Sequence, residues 1–279
     1  MLSEPRFELP GSTNVVPSFI EGNTVGVHAR FFFLIFLCAG KKERGLRKSL
    51  RTKMHLLELF AGTGSVGKIF EAAGWDVTSV DLQEETAGYR PTICADIKTI
   101  ELDRWPAGTF DVVWASIPCG EYSMAKTVGA RDLDGSDELA LHTLALIRAL
   151  KPRFWFIENP ASSLLKDRNF MKAFLAENAA DSTVVSYCKY VDWGYRKNTR
   201  IFSNALHLWK GQRCANDCSS MVRSMCGGWR HKHTAQRGGS KNWPMDRCFS
   251  QTELYRIPPA LVSELLEAIA PSLSVESAS

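Results

Sequence analysis

The chain lacks an apolar run of membrane-spanning length. Its most conspicuous run, FFFLIFLC from Phe31 to Cys38, has eight residues, whereas a helical crossing needs about twenty. No basic leader precedes it, and it lies too far in for a standard secretory signal. Cysteine is sparse: eight thiols in 279 residues fall short of the density of a disulfide-stapled secreted domain. A chain of this length also has core enough without staples. The expectation is a reducing compartment, in which each thiol is core, catalytic or metal-bound. The chain thus reads as a soluble intracellular monomer of cytoplasm or nucleus, with no membrane partner. Composition excludes a mostly disordered or collagen-like chain, since 45% hydrophobic and 23% charged residues are ordinary for a globular protein.

The formal charge of +4 hides an uneven distribution. Lys41 to Lys53 carries a net +6 and Arg196 to Arg247 a net +9, leaving −11 for the rest. Two basic segments on an acidic body suit a polyanion such as nucleic acid, or are solvated surface.

Residues 1–53 read as an N-terminal extension, expected to be poorly ordered. From His55 onward, strand and helix signals alternate. HLLELF is an apolar strand, Gly62 to Gly67 a glycine-rich turn, and Val66 to Ala73 a helix stopped by Gly74. Strands follow at 76–80, 111–116, 153–157, 183–190 and 200–204, with helices over 138–150 and 168–179. Such alternation predicts an α/β fold: a Rossmann-like, mainly parallel, doubly wound sheet over 54–205. A small loop-rich basic region follows over 206–256, then a closing helix and tail over 257–279. In sheets of this kind ligands collect at the carboxyl ends of the strands. Gly62, Gly64, Asp81, Cys119 and Glu158 all fall just after predicted strands.

Gly62, Gly64 and Gly67 form a GxGxxG, and Asp81 closes the next strand. Glycines let the backbone approach a ligand and turn into a helix, and the acid accepts from ribose hydroxyls. The pattern suits NAD or S-adenosylmethionine, or is a structural turn. In SIPCGEYS, Cys119 follows Pro118 at a rigid corner after a buried strand. It is either presented to a substrate or packed in the core. In FWFIENP, Glu158 stands at the mouth of an apolar strand, where a carboxyl group can both donate and accept a proton. A helix cap or an ion-pair partner is the other reading.

Taken together, residues 55–205 resemble the catalytic domain of the C5-cytosine-specific DNA methyltransferase family. ELFAGTG resembles its cofactor loop, VDL at 80–82 and ADI at 95–97 its next cofactor contacts, and PCGEYS its Pro-Cys motif. LKPRFWFIENP resembles its Glu-Asn motif and GYRKNTRIF at 194–202 its arginine segment. The resemblance implies that Phe60, Ala61, Gly62, Gly64, Asp81, Asp96 and Pro118 hold S-adenosyl-L-methionine. It further implies that Cys119 attacks C6 of a cytosine, that Glu158 binds N3 and the exocyclic amine, and that Arg200 holds the pyrimidine O2. The substrate implied is DNA, with the cytosine out of its stack; the same chemistry on RNA, or a catalytically silent nucleic-acid-binding relative, stays open. Four positions depart from the family pattern: Ile117 before Pro-Cys, Gly120 after it, Pro160 after Glu-Asn, and Asn198 for the first arginine.

In the tail, Cys214, Cys218, Cys226 and Cys248 lie among basic residues, with His231 and His233 between them and Trp209, Trp229 and Trp243 nearby. These thiols suffice for one tetrahedral zinc, held by Cys214, Cys218, Cys226 and either His233 or Cys248. No tight Cys-x2-Cys pair marks such a site, and unlinked thiols are the other reading. Basic and aromatic residues together suit phosphate contacts and base stacking.

Overall fold

A computed structural model describes residues 53–124, 126, 129–235 and 247–274. The apolar run, all but the last residue of the first basic stretch, and Trp243 lie outside the described residues. Strand β1 (His55–Leu59) buries Leu56, Leu57 and Leu59. A glycine turn leads into α1 (Gly67–Ala72), then β2 (Asp76–Asp81) and the two-residue β3 (Ile93–Cys94). Next come β4 (Val112–Ser116), α2 (Leu133–Leu150), β5 (Phe154–Pro160) and α3 (Asn169–Glu177). The main sheet ends with β6 (Asp181–Ser186) and β7 (Asn198–Ser203). A small hairpin of β8 (Met221–Arg223) and β9 (Trp229–His231) follows, then α4 (Gln251–Tyr255) and α5 (Pro259–Ser274).

The seven strands lie in the order β3-β2-β1-β4-β5-β7-β6. The first five pair in parallel, and β7 runs antiparallel to both β5 and β6. Chain order reverses between β1 and β4. The loops leaving these two strands therefore diverge and open a crevice at their carboxyl ends, where open α/β sheets bind ligands. The glycine turn leaves β1 at this crevice, and the Pro-Cys corner leaves β4.

Both faces are covered, as the alternation of strands and helices predicts. Leu144, Ile147 and Leu150 of α2 and Met171 and Phe174 of α3 pack with Leu57, Val113, Trp155 and Ile157 on one face. Phe70 of α1 and Leu261, Leu265 and Ile269 of α5 pack with Leu56, Trp114 and Phe156 on the other. Helix α2 starts at Leu133, before the predicted Glu138, because the Asp132 side chain accepts from the Gly135 N–H and caps it there. Among the described residues, no helix is long and apolar enough to cross a membrane.

Candidate active site

The glycine turn is held from beneath by two carboxylates. Glu58, on β1 and buried, accepts from the N–H groups of Val66 at 3.3 Å and Gly67 at 2.9 Å. Burial pushes its carboxyl group up from 4.5 to about 8, against the pull of these two amides. Asp81, at the tip of β2, accepts from the Gly62 N–H at 2.8 Å and the Gln83 N–H at 2.9 Å. Phe60, Gly62 and Gly64 have φ of 59°, 52° and 64°. This left-handed run costs glycine little but strains Phe60. A Cβ on Gly64 would come within 2.4 Å of the Tyr89 ring, so that glycine is demanded by close packing. On Gly62 a Cβ would meet nothing within 4 Å: the turn opens there onto free space, a cradle for a ligand. Asp96 follows β3 and accepts from the Lys98 N–H at 2.9 Å.

Strands β4 and β5 are neighbours in register, with Ser116 opposite Glu158. The Asn159 side-chain amide donates to the Ile117 carbonyl at 2.7 Å and ties the two strand tips together. Pro118 is exposed and Cys119 half-buried just beyond. Burial raises the Cys119 pKa, the Glu158 carboxylate raises it further, and Lys197 lowers it. The thiol and the carboxylate thus stand within electrostatic reach of each other. The loop beyond Cys119 is anchored by Tyr122, whose hydroxyl donates to Asp137 at 2.8 Å. Arg131 also holds it, donating to the Glu121 and Ser123 carbonyls, both at 2.7 Å.

Two side chains at Glu158 were not singled out from the sequence. The Tyr187 hydroxyl, fully buried, donates to Glu158 Oε1 at 3.3 Å. Lys197 Nζ lies 4.0 Å from the same oxygen. Tyr187 begins a single helical turn after β6 with no local pattern to mark it, and Lys197 lies within the 194–202 segment, where only Asn198 and Arg200 were weighed.

Arg200 is placed differently from the expectation. It pairs with Asn159 across β5 and β7, whereas Glu158 pairs with Ile201. Because neighbouring strand residues alternate faces, Arg200 turns away from Glu158. Its Nη1 donates to Ser182 Oγ at 2.6 Å, and its buried Nε has no partner. The cation beside the carboxylate is Lys197.

The thiols of the tail are also arranged differently. Cys214 and Cys218 come together, but with Cys188 and His231. Cys226 and Cys248 are exposed. His233 lies elsewhere: its backbone N–H donates to the Gly194 carbonyl at 2.6 Å, its ring Nδ1 accepts from the Arg247 N–H at 3.4 Å, and the ring packs on Phe249. The hairpin explains the difference, because pairing of Met221 with His231 brings that histidine back beside Cys218. Cys188 escaped notice because it lies inside the sheet region rather than the tail.

Beside this region runs a shallow cleft lined by Asp192, Trp193, Gly194, Lys232, His233, Arg247, Phe249 and Arg256, three cations against one acid. Arg256 lies over the Trp193 ring at 4.7 Å and Arg247 over Phe249 at 4.9 Å.

Comparison with known proteins gives consistent matches. The sequence profile described as C-5 cytosine-specific DNA methylase matches residues 54–179. A probable DNA (cytosine-5)-methyltransferase of Frog virus 3 (isolate Goorha) is 33% identical over 230 residues, covering 77% of this chain and 99% of the viral protein. The type II methyltransferase M.XorII of Xanthomonas oryzae pv. oryzae is 29% identical over 164 residues, 52% of this chain and 38% of that protein. Among solved structures, the Dnmt2 methyltransferase of S. pombe matches with a TM-score of 0.41 and 13% identity, over 55% of this chain and 49% of that one.

Proposed function

This chain belongs to the C-5 cytosine-specific DNA methylase family, and from that premise we propose that it transfers a methyl group from S-adenosyl-L-methionine to C5 of a DNA cytosine through a covalent Cys119 adduct. The observation that carries the reading is the register of β4 and β5. It sets Ser116 beside Glu158, so that the loop bearing the Cys119 thiol leaves the strand tip next to the one that bears the carboxyl group.

The cofactor residues fit an adenosyl ligand: the Gly62 cradle opens onto space, and Asp81 and Asp96 offer carboxylates at neighbouring strand ends. Each carboxylate oxygen has two acceptor sites, so the amides already bound leave room for ribose or adenine donors. When bound there, S-adenosyl-L-methionine supplies an electrophilic methyl group. Phe60, Ala61, Gly62 and Gly64 would line the cofactor, and Pro118 would present the corner to it.

Cys119 acts as the nucleophile. Its sulfur, once deprotonated, bonds to C6 of the cytosine and pushes an electron pair towards C5. Glu158 in its protonated form donates to N3, accepts from the exocyclic amine, and drains charge from the ring. Tyr187 holds one oxygen of that carboxyl group and so fixes its plane. Lys197 favours the thiolate; before a base binds, its ammonium lies 4.0 Å from the Glu158 carboxylate, which takes up a proton as it engages N3. C5 would take the methyl group as its bond to the sulfonium sulfur breaks and the thioether leaves; solvent water would take the C5 proton, and the C–H electron pair would re-form the C5–C6 double bond and expel the Cys119 thiolate. The basic, aromatic cleft beside Trp193 suits the phosphate backbone around an extruded base.

The test is incubation with labelled S-adenosyl-L-methionine and a mixture of DNA and RNA, followed by digestion. The expected product is 5-methylcytosine in DNA. Cys119→Ser should abolish transfer while cofactor binding persists. Label in RNA alone overturns the substrate, and unchanged turnover by Cys119→Ser overturns the covalent route.

A further inference from the structure

We infer that Cys188, Cys214, Cys218 and His231 bind one structural zinc ion, which fastens the basic segment 211–235 to the end of the catalytic sheet. Their four ligand atoms all lie within 4.8 Å of one another. His231 Nε2 stands 3.6 Å from the Cys214 sulfur and 3.3 Å from the Cys218 sulfur. Zinc–sulfur bonds of about 2.3 Å and zinc–nitrogen bonds of about 2.0 Å, at a tetrahedral angle, give sulfur–nitrogen edges of about 3.5 Å. The two edges match that figure within a few tenths of an ångström. Three thiols and an imidazole form a closed, soft donor set with no place for a substrate, which is the pattern of structural zinc.

The backbone positions each ligand independently. Cys188 sits in the helical turn that ends β6. Cys214 donates its N–H to Ser186 Oγ at 3.0 Å, while the Ser186 N–H donates to the Gln212 carbonyl at 2.9 Å. The Cys218 carbonyl accepts from the Met221 N–H at 3.2 Å, and Met221 is the register partner of His231. The Lys232 N–H closes onto the Ser220 carbonyl at 2.9 Å.

The segment also needs such a staple. Between Gly211 and Ala235 the buried residues are Cys214 and Ser220 alone. A hairpin of two three-residue strands without an apolar core of its own is marginal in water. Zinc would supply what burial does not, exchanging three thiol protons for the ion as it binds. A disulfide between any two of these cysteines would leave a thiol and the imidazole without a purpose.

The test is metal analysis of the full chain, prepared under reducing conditions without chelator and then incubated with zinc and desalted. About one zinc per chain is expected, with cobalt substitution giving the intense visible bands of a tetrahedral thiolate site. The Cys226→Ser/Cys248→Ser double variant should keep the metal, and Cys188→Ser should lose most of it. If Cys188→Ser fails to fold, the cobalt spectrum of the unmodified chain still decides the matter. Wild-type protein that retains no zinc overturns the site, as does a six-coordinate cobalt spectrum or loss of metal from the double variant. None of these readings depends on methyl transfer, so the metal site and the catalytic reading fail separately.

Discussion

Glu58 makes the fold's stability depend on pH in an unusual direction. Its carboxyl group sits beneath the glycine turn, and burial raises it from 4.5 to about 8. The folded chain therefore holds a proton that the unfolded chain releases at lower pH. Stability attributable to this group is present below about 4.5, falls as pH rises through the interval, and levels off above about 8. Each pH unit inside the interval is worth about 1.4 kcal/mol. Moving from about pH 5.5 to 7.5 should cost about 2–3 kcal/mol. Glu58→Gln removes the titration. It also turns an amide donor towards one of the two N–H groups that Glu58 now satisfies, at a fixed cost of about 1–3 kcal/mol. Urea unfolding followed by tryptophan fluorescence, at both pH values, measures the two chains side by side. The stability of wild type minus that of the variant should fall by about 2–3 kcal/mol between them. Other titrating groups are common to both and cancel. A constant difference would refute the reasoning: the amides of Val66 and Gly67 would then hold the carboxylate ionised in the fold.

Two further predictions concern the crevice. Gly62→Ala meets no atom within 4 Å, so its stability cost is the positive φ alone, about 1 kcal/mol. It should nevertheless weaken S-adenosyl-L-methionine binding in calorimetry by tenfold or more. Gly64→Ala strikes the Tyr89 ring and should lower stability further; equal stability losses in the two variants would contradict the packing argument. Lys197→Met removes the cation that lowers the Cys119 pKa, and Glu158→Gln removes a charge that raises it. The midpoint for iodoacetamide alkylation of Cys119 should therefore move to higher pH in the first and lower pH in the second, and movement in the same direction would sink the assignment of this pair.

The sheet was legible because its signals are local. A short apolar run closed by glycine, as in HLLELFAG, or by Glu-Asn-Pro, as in FWFIENP, marks a strand and its carboxyl end without reference to the rest of the chain. Strand direction is not local: β6 and β7 read as strands, but the insertion of β7 antiparallel between β5 and β6 depends on which edges remain free. Arg200 illustrates the consequence. Its segment forms β7, but its face follows from a register that pairs it with Asn159 rather than Glu158. The thiol cluster shows the same limit from the other side. Cys214 and Cys218 are near in sequence and were grouped, whereas Cys188 and His231 join them only through the end of β6 and the β8–β9 hairpin.

One turn connects the two halves of the molecule's chemistry. Tyr187 and Cys188 are adjacent in the helical turn after β6. Tyr187 points its hydroxyl at Glu158, and Cys188 contributes its sulfur to the cluster with Cys214, Cys218 and His231. The ring of Tyr187 is fully buried and lies beneath the Lys197 ammonium at 4.9 Å. Anything that fixes Cys188 therefore also fixes the tyrosine and, through its hydroxyl, one oxygen of the Glu158 carboxyl group, which on the proposed mechanism lies in the plane of the base. A planar ring bound by two hydrogen bonds tolerates little rotation of that group. A metal ion that clamped the basic segment at this turn, rather than at a distant edge, would tie the proposed contacts to a polyanion and the orientation of the Glu158 carboxyl group to the same few atoms.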